Sequence, residues 1–145
     1  MQIHSLTVLY DAECGVCSQT KNWLMAQPTY IELRFIPLQD PQLNQWFPGV
    51  EVFRPNQEIV VISDHGAVYC GAQAWVMCLW ALRLYRPWSL RFAQPNLFPW
   101  VQKFCRMVAK NRLEVSSFLR IKSDAKLVQK LRNEHSVCVG NACKT

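Results

Sequence analysis

The stretch VLYDAECGVCSQT, residues 8–20, places two cysteines three positions apart directly behind an apolar run that ends in Asp11. Residues 6–10 are almost all apolar or aromatic, a pattern typical of a strand buried on both faces. From Cys14 onward, polar and apolar side chains separate at helical spacing, which predicts a helix that ends before Pro28. We therefore expect the two cysteines at the turn from a strand to a helix.

The segments that follow predict further strands around this turn. Residues 31–35 alternate apolar and charged side chains and are followed by Pro37, which predicts a half-buried strand. Strand, helix and strand at this spacing indicate a right-handed βαβ unit. Residues 59–62 and 67–69 flank the turn sequence Ser-Asp-His-Gly and predict a β-hairpin. A short helix is expected near residues 43–47, inside an irregular connection that contains several prolines.

Three more helices are predicted towards the C-terminus. Residues 72–86 are apolar on nearly every side, which predicts a deeply packed helix that Pro87 stops. Pro99 suits the first turn of a second helix, and Ser123 is a candidate N-cap for the last one. The order β-α-β, hairpin, α predicts an α/β fold of thioredoxin-like layout: a mixed sheet with helices on both faces and additional C-terminal helices.

Length and composition favour one globular domain with a short C-terminal addition. The chain has 145 residues, of which 50% are hydrophobic, and this is enough for one core. We expect the domain at residues 1–120, and a C-terminal helix with a cysteine-containing tail at 121–145. No run approaches the roughly 18 apolar residues of a membrane span, and the N-terminus does not resemble a secretory signal. These features predict a soluble, cytoplasmic protein.

The net charge of +6 comes mainly from lysines and arginines in the C-terminal third of the chain. Their spacing is typical of the solvent-exposed faces of helices. Such a surface attracts acidic partners, but no nucleic-acid-binding motif accompanies it. We therefore predict no nucleic-acid partner.

The spacing of Cys14 and Cys17 suits thiol–disulfide exchange. The chain has seven cysteines, and in a reducing compartment a close pair indicates catalysis or metal binding rather than a disulfide framework. A sulfur at a helix N-terminus lies near unpaired N–H groups, which lower its pKa. Because Cys17 follows one turn later, it lies within disulfide distance. Cys14 is the predicted nucleophile and Cys17 the predicted resolving thiol.

Asp11 has two possible roles at this turn. Its carboxylate is a candidate cap for N–H groups of the loop or the helix. It is also a candidate proton acceptor for the Cys17 thiol when that thiol attacks a mixed disulfide. The neighbouring Glu13 is expected to be exposed.

A zinc site is the main alternative for the cysteine pair. His135, Cys138 and Cys143 offer three further ligands, and four are enough for a structural zinc. However, the tail would have to fold back over more than a hundred residues, and the glycine typical of a zinc knuckle is missing after Cys17. Cys138 and Cys143 form either a second redox pair or two exposed thiols of a mobile terminus.

The remaining cysteines and the tryptophans are predicted to be structural. Cys78 and Cys105 fall on apolar helix faces and are expected to be inert core thiols, and Cys70 ends a hairpin strand. The tryptophans of the C-terminal half are also expected in the core, with a docking surface beside neighbouring arginines as the alternative; they are Trp75, Trp80, Trp88 and Trp100, and the arginines are Arg83, Arg86 and Arg91.

Three motifs resemble the DCC family of predicted thiol-disulfide oxidoreductases, which is named for Asp-x-x-Cys-x-x-Cys. They are YDAECGVC at residues 10–17, DHGAVYCGAQA at 64–74 and VAKNR at 108–112. The resemblance implies a thioredoxin-like domain with Asp11, Cys14 and Cys17 at its active site.

The chain departs from the family pattern at four places. Ala12 stands where the family usually has glycine, and Cys105 stands where an aromatic residue is expected. The tail beyond Arg120 lies outside the shared pattern. The cis-proline of thioredoxins is not obvious in the sequence, and Pro55 is the candidate for it.

Together these observations predict a thiol-disulfide oxidoreductase that uses Cys14, Cys17 and Asp11 and requires no cofactor. Its expected partners are a protein or small-molecule disulfide substrate and a reducing partner that the sequence does not identify. The alternative is a non-catalytic module that holds zinc or docks a partner.

Overall fold

A computed structural model describes residues 2–118 and 124–140, which form one four-stranded sheet and six α-helices. The strands are β1 (Ser5–Tyr10), β2 (Glu32–Pro37), β3 (Val60–Ser63) and β4 (Val68–Cys70). The helices are α1 (Gly15–Met25), α2 (Leu43–Trp46), α3 (Gly71–Ala81), α4 (Arg86–Phe92), α5 (Phe98–Phe118) and α6 (Ala125–Gly140). A short 3₁₀ helix, which the sequence pattern does not predict, spans Val50–Phe53.

The sheet has the strand order β2-β1-β3-β4. Strands β1 and β2 pair in parallel, and α1 connects them, so the predicted βαβ unit is confirmed. Strand β3 runs antiparallel to both β1 and β4, which confirms the hairpin. The thioredoxin-like α/β fold class predicted from the order of elements is thus confirmed.

Both faces of the sheet are covered by apolar side chains. On one face, residues of β1 and β3 pack against α1 and α3; this cluster includes Leu6, Val8, Val61, Leu24 and Cys78. The opposite face packs against α2 and the 3₁₀ helix; this cluster includes Leu9, Val60, Ile62, Leu43 and Val50. The central strand β1 is therefore buried on both faces, and its C-terminal end carries the predicted site.

The predicted helix over residues 72–86 is wrong at its C-terminal end. Helix α3 ends at Ala81 because backbone groups at and after this residue bond to the segment that follows α1 instead of continuing the helix. The N–H of Tyr30 donates to the carbonyl of Ala81 (2.8 Å), and the N–H of Arg83 donates to the carbonyl of Pro28 (2.9 Å). Pro87 does not stop a helix but lies in the first turn of α4, where its missing N–H leaves no hydrogen bond unmade.

The two C-terminal helices pack against the βαβ unit. Helix α5 begins at Phe98, so Pro99 lies in its first turn as predicted, and α5 contacts α1 and α3. Helix α6 buries Val128 against Tyr10 and Ala12. The predicted N-cap Ser123 lies outside the described residues. None of the described helices is both long and apolar enough to span a bilayer.

The prediction that the four C-terminal tryptophans lie in the core is wrong for two of them. Trp75 and Trp80 are half-buried, whereas Trp88 and Trp100 are exposed. The reason is geometric, because the sheet-facing side of α3 already fills the core with alanines, Cys78 and neighbouring leucines. Helices α4 and α5 therefore present part of their apolar surface to solvent.

Candidate active site at the first strand-to-helix turn

Cys14 is the N-cap of α1, as the sequence predicts. Its backbone is extended (φ −89°, ψ 117°), and its sulfur accepts a hydrogen bond from the N–H of Cys17 at 3.4 Å. The N–H of Cys14 donates to the carbonyl of Asp11 at 3.2 Å, which closes the turn after β1. The sulfur of Cys14 thus takes the position in which an oxygen usually satisfies the first free N–H groups of a helix.

The two sulfur atoms lie 2.7 Å apart, and the thiol of Cys17 donates to the sulfur of Cys14. This hydrogen bond is the main reason why the pKa of Cys14 falls to about 6, with smaller contributions from the N–H of Cys17 and the charge of Arg112. Burial and the charge of Asp11 act in the opposite direction. The same hydrogen bond and burial raise the pKa of Cys17. At neutral pH the pair therefore holds one proton, on Cys17.

The ionised sulfur belongs to the less accessible cysteine. Cys14 is 1% exposed, whereas Cys17 is half-buried and borders a cavity of about 80 Å³. This cavity lies between the sheet, α1, α3 and α5, and most of its exposed wall is apolar. The sequence pattern does not reveal this difference, because both positions belong to the same first turn of α1.

Asp11 acts as a cap in the structure. Its Oδ1 accepts from the N–H of Glu13 at 3.0 Å and from Nε2 of Gln39 at 2.8 Å. Its Oδ2 lies 3.7 Å from Nη2 of Arg112, and its side chain borders the same cavity as Cys17. Glu13 is exposed, as expected.

Arg112 is part of the site, although the sequence pattern alone assigns it no role. Its Nη1 lies 3.8 Å from the sulfur of Cys17, and its Nη2 donates to the carbonyl of Asn56. Its side chain is 15% exposed, so its charge is only partly screened by water. The VAKNR motif at residues 108–112 contains this arginine, but a single sequence cannot show that α5 folds back across α1.

A buried polar cluster lies on the other side of the turn. The hydroxyl of Ser18 donates to the carbonyl of Ala12 (3.3 Å) and accepts from the N–H of Asp124 (3.1 Å). The carboxylate of Asp124 bonds to Nζ of Lys21 and to the hydroxyl of Tyr10. Burial, together with Asp124, raises the pKa of Tyr10 to about 12. The start of α6 is therefore attached beside the cysteine pair.

The three other cysteines whose side chains the structure describes are free thiols with raised pKa values. Cys78 is fully buried, and burial raises its pKa to about 12. Burial also raises the pKa values of Cys70 and Cys105. Cys105 is half-buried rather than a full core residue, and it borders the cavity next to Cys17.

The alternative zinc ligands cannot be placed at this turn. The side chains of His135 and Cys138, and all of Cys143, lie outside the described residues. Within the described part of the chain, no three His, Cys, Asp or Glu side chains are grouped as metal ligands would be.

Two departures from the family pattern are settled by the backbone. Ala12 is fully buried and does not adopt a left-handed conformation, so the position does not need glycine. Pro55 borders the cavity next to Cys17, but no cis peptide bond occurs among the described residues. The expectation of a cis-proline at Pro55 is therefore wrong.

Comparison with known proteins gives one result for this site. The sequence model of the family described as "DCC1-like thiol-disulfide oxidoreductase" matches residues 8–118. The match includes the turn after β1, the whole sheet from Val8 onward and α5. Searches of curated proteins and of solved structures gave no significant match.

Proposed function

Because the chain belongs to the DCC1-like thiol-disulfide oxidoreductase family, we propose that it exchanges electrons with disulfide substrates through Cys14 and Cys17. The observation that carries this proposal is the hydrogen bond from the thiol of Cys17 to the sulfur of Cys14, 2.7 Å long, at the N-terminus of α1. It supplies what the reaction needs: one ionised sulfur and a protonated sulfur within bonding reach.

The proposed reaction has two displacement steps. The thiolate of Cys14 attacks one sulfur of the substrate disulfide, forms a mixed disulfide and releases the other substrate sulfur as a thiolate. Cys17 then loses its proton and attacks the sulfur of Cys14, which forms the Cys14–Cys17 disulfide and releases the second substrate thiolate. The substrate gains two electrons, which the cysteine pair loses, and an external thiol reductant restores the pair.

Asp11 and Arg112 support the second step in this proposal. Cys17 keeps its proton at neutral pH, so its attack needs a proton acceptor. The carboxylate of Asp11 borders the same cavity and is held by Gln39 and Arg112. The guanidinium of Arg112, 3.8 Å from the sulfur of Cys17, stabilises the thiolate that this proton transfer creates.

Access to Cys14 requires movement of the residues around it. Ala12 and Ser18, which flank the turn, are as fully buried as Cys14 itself. Val128 in the first turn of α6 packs against Ala12, and Asp124, directly before α6, donates its N–H to Ser18. The proposed attack on a substrate therefore includes a local displacement of the residues that enclose Cys14.

The first experiment compares three single variants in the reduction of a small disulfide and of insulin by dithiothreitol. Cys14→Ser removes the nucleophile and is expected to abolish turnover. Cys17→Ser keeps the nucleophile, so a mixed disulfide on Cys14 should accumulate, visible by mass spectrometry, when the reduced variant is mixed with the substrate disulfide after dithiothreitol has been removed. Cys70→Ser is the matched control and should keep full activity. Wild-type activity in Cys14→Ser would rule out the proposed reaction.

The second experiment tests the role of Asp11. Asp11→Asn keeps an oxygen for the N–H of Glu13, so the fold is expected to persist, but it removes the proton acceptor. Turnover should fall across the neutral pH range, while formation of the mixed disulfide persists. Unchanged turnover would leave Asp11 with its capping role alone.

The compartment and partners proposed here follow from the same chemistry. A dithiol that must be reduced again after each turnover suits a reducing compartment, which supports the cytoplasm as its location. The five cysteines whose pairing the structure describes are all free thiols. The proposed partners are a disulfide substrate and a thiol reductant.

A further inference from the structure

Helix α5 carries an exposed apolar stripe, which we define as Trp100, Phe104, Met107 and Val108. The exposed fractions of the first three side chains are 68%, 62% and 54%. The spacing of i, i+4, i+7 and i+8 places all four on one side of the helix. Such contiguous exposure of large apolar side chains marks an interaction surface rather than an isolated surface residue.

The outward part of the stripe, Trp100, Phe104 and Met107, is separate from the cysteine pair, whereas Val108 also borders the cavity next to Cys17. The side of α5 that faces the domain carries Cys105, Ala109 and Arg112, which border the cavity next to Cys17. Helical geometry places the stripe beside this inward side, so α5 contacts α1 and α3 with one part of its circumference and presents Trp100 and Phe104 outward. The proposed redox chemistry does not use the stripe.

A basic row accompanies the stripe along α5. Lys103, Arg106 and Lys110 follow each other at intervals of three and four residues, and all three are exposed. The ammonium group of Lys103 lies 5.9 Å from the ring centroid of Trp100. Glu114 is the single acidic residue of α5. The helix thus presents an apolar surface and a positive surface side by side.

The charge pattern of α5 indicates which kind of partner fits the stripe and the basic row. A second copy of the chain packed on the stripe would bring two basic rows together, with one glutamate per helix to oppose three cations. A surface with dense negative charge above an apolar interior complements both the basic row and the apolar stripe. Amphipathic helices that lie on anionic membranes combine aromatic and aliphatic residues with a Lys- and Arg-rich polar side in this way.

We propose that α5 docks the protein on the surface of an anionic lipid bilayer, with the stripe inserted at the level of the headgroups and the basic row bound to lipid phosphates. Trp100 is suited to this position because an indole ring is apolar over most of its surface and polar at its N–H. The helix lies in the plane of the interface and does not cross the bilayer.

The test is co-sedimentation of the full chain with two kinds of vesicle, phosphatidylcholine alone and phosphatidylcholine mixed with phosphatidylglycerol. Binding is expected to the mixed vesicles, and high salt should weaken it. The double variants Trp100→Ser/Phe104→Ser and Lys103→Glu/Lys110→Glu should each lose about tenfold in affinity or more. The matched controls are Trp46→Ser, a tryptophan 49% exposed on α2, and Lys126→Glu, an exposed lysine of α6; both should bind like the wild type.

A second measurement reports the depth of Trp100 directly. Lipids brominated in the upper acyl chain should quench part of the tryptophan fluorescence in mixed vesicles, and Trp100→Phe should remove most of that quenching while it keeps binding. No binding to mixed vesicles, or equal loss in the controls, would overturn the proposal. The proposal would also be overturned if the protein formed a dimer with increasing concentration, if the stripe variants abolished that dimer, and if no binding to vesicles were seen. None of these readouts depends on the activity of the cysteine pair.

Discussion

The guanidinium of Arg112 lies 3.7 Å from the carboxylate of Asp11, so a cation from α5 meets the aspartate that follows β1. Both charges act on Cys14, and they act in opposite directions. The charge of Arg112 lowers the pKa of Cys14, and the charge of Asp11 raises it. The ionisation of the dithiol therefore depends on two residues from distant parts of the chain.

Replacing Arg112 should shift the titration of Cys14. Arg112→Met removes the positive charge, so the pKa of Cys14 should rise above its value of about 6. Arg112→Lys keeps a charge and should shift it less. The measurement is the far-ultraviolet absorbance of the thiolate as a function of pH, with the exposed Arg106→Met as the control. An unchanged titration in Arg112→Met would show that Arg112 does not stabilise the thiolate.

Removing the thiol of Cys17 should have a larger effect on the same titration. In the wild-type protein the thiolate of Cys14 should be half-formed at pH about 6 and lost as the pH falls further. Cys17→Ala removes the hydrogen bond that is the largest cause of this low pKa, so the midpoint should move upward and less thiolate should remain at neutral pH. Cys70→Ala should leave the midpoint in place. A midpoint that stays low in Cys17→Ala would assign the effect to the backbone N–H at the start of α1 and the charge of Arg112.

The buried hydroxyl of Ser18 should contribute measurably to stability. Ser18→Ala leaves the N–H of Asp124 without its acceptor and removes the bond to the carbonyl of Ala12. An unsatisfied buried group costs about 1–3 kcal/mol. Ser89→Ala is the matched control, because Ser89 is equally buried but its hydroxyl bonds within its own helix, as a donor to the carbonyl of Arg86. Urea unfolding should give a larger loss for Ser18→Ala, and equal losses would contradict the role given to Asp124.

Substitutions at two glycines with left-handed backbone allow the cost of backbone strain to be compared with the cost of steric contact. An added Cβ at Gly66 (φ +81°) would meet open space, whereas at Gly71 (φ +54°) it would lie 2.7 Å from Oε2 of Glu58. Gly66→Ala should therefore lose about 1 kcal/mol of unfolding free energy from backbone strain alone. Gly71→Ala should lose more, because Glu58 must also move. Identical losses in thermal or urea unfolding would mean that Glu58 relaxes freely.

Local patterns were enough to predict the framework of the site. The alternation over residues 31–35, the hairpin turn near Gly66 and the loss of strand pattern after Asp11 each depend on a few neighbouring residues. The structure confirms the elements that they predict. The position of Cys14 as the N-cap of α1 follows from the same local information.

The features that the sequence did not reveal depend on contacts between distant segments. The end of α3 at Ala81 is set by hydrogen bonds to residues 28–30, and nothing between residues 72 and 86 indicates it. Arg112 and Asp124 reach the site across about a hundred residues. Periodicity also shows which side of α5 is apolar, but it does not show that Trp100 remains uncovered.

The burial of Cys14 has a consequence for the lifetime of the reduced protein. Overoxidation of a cysteine to sulfinic acid requires that peroxide reaches the thiolate, and a cysteine residue that is 1% exposed is shielded from it. The negative charge makes the sulfur of Cys14 reactive, and the surrounding protein restricts the access of small oxidants to it. In the proposed reaction, a substrate able to displace the residues around Cys14 would therefore reach a thiolate that has not been oxidised.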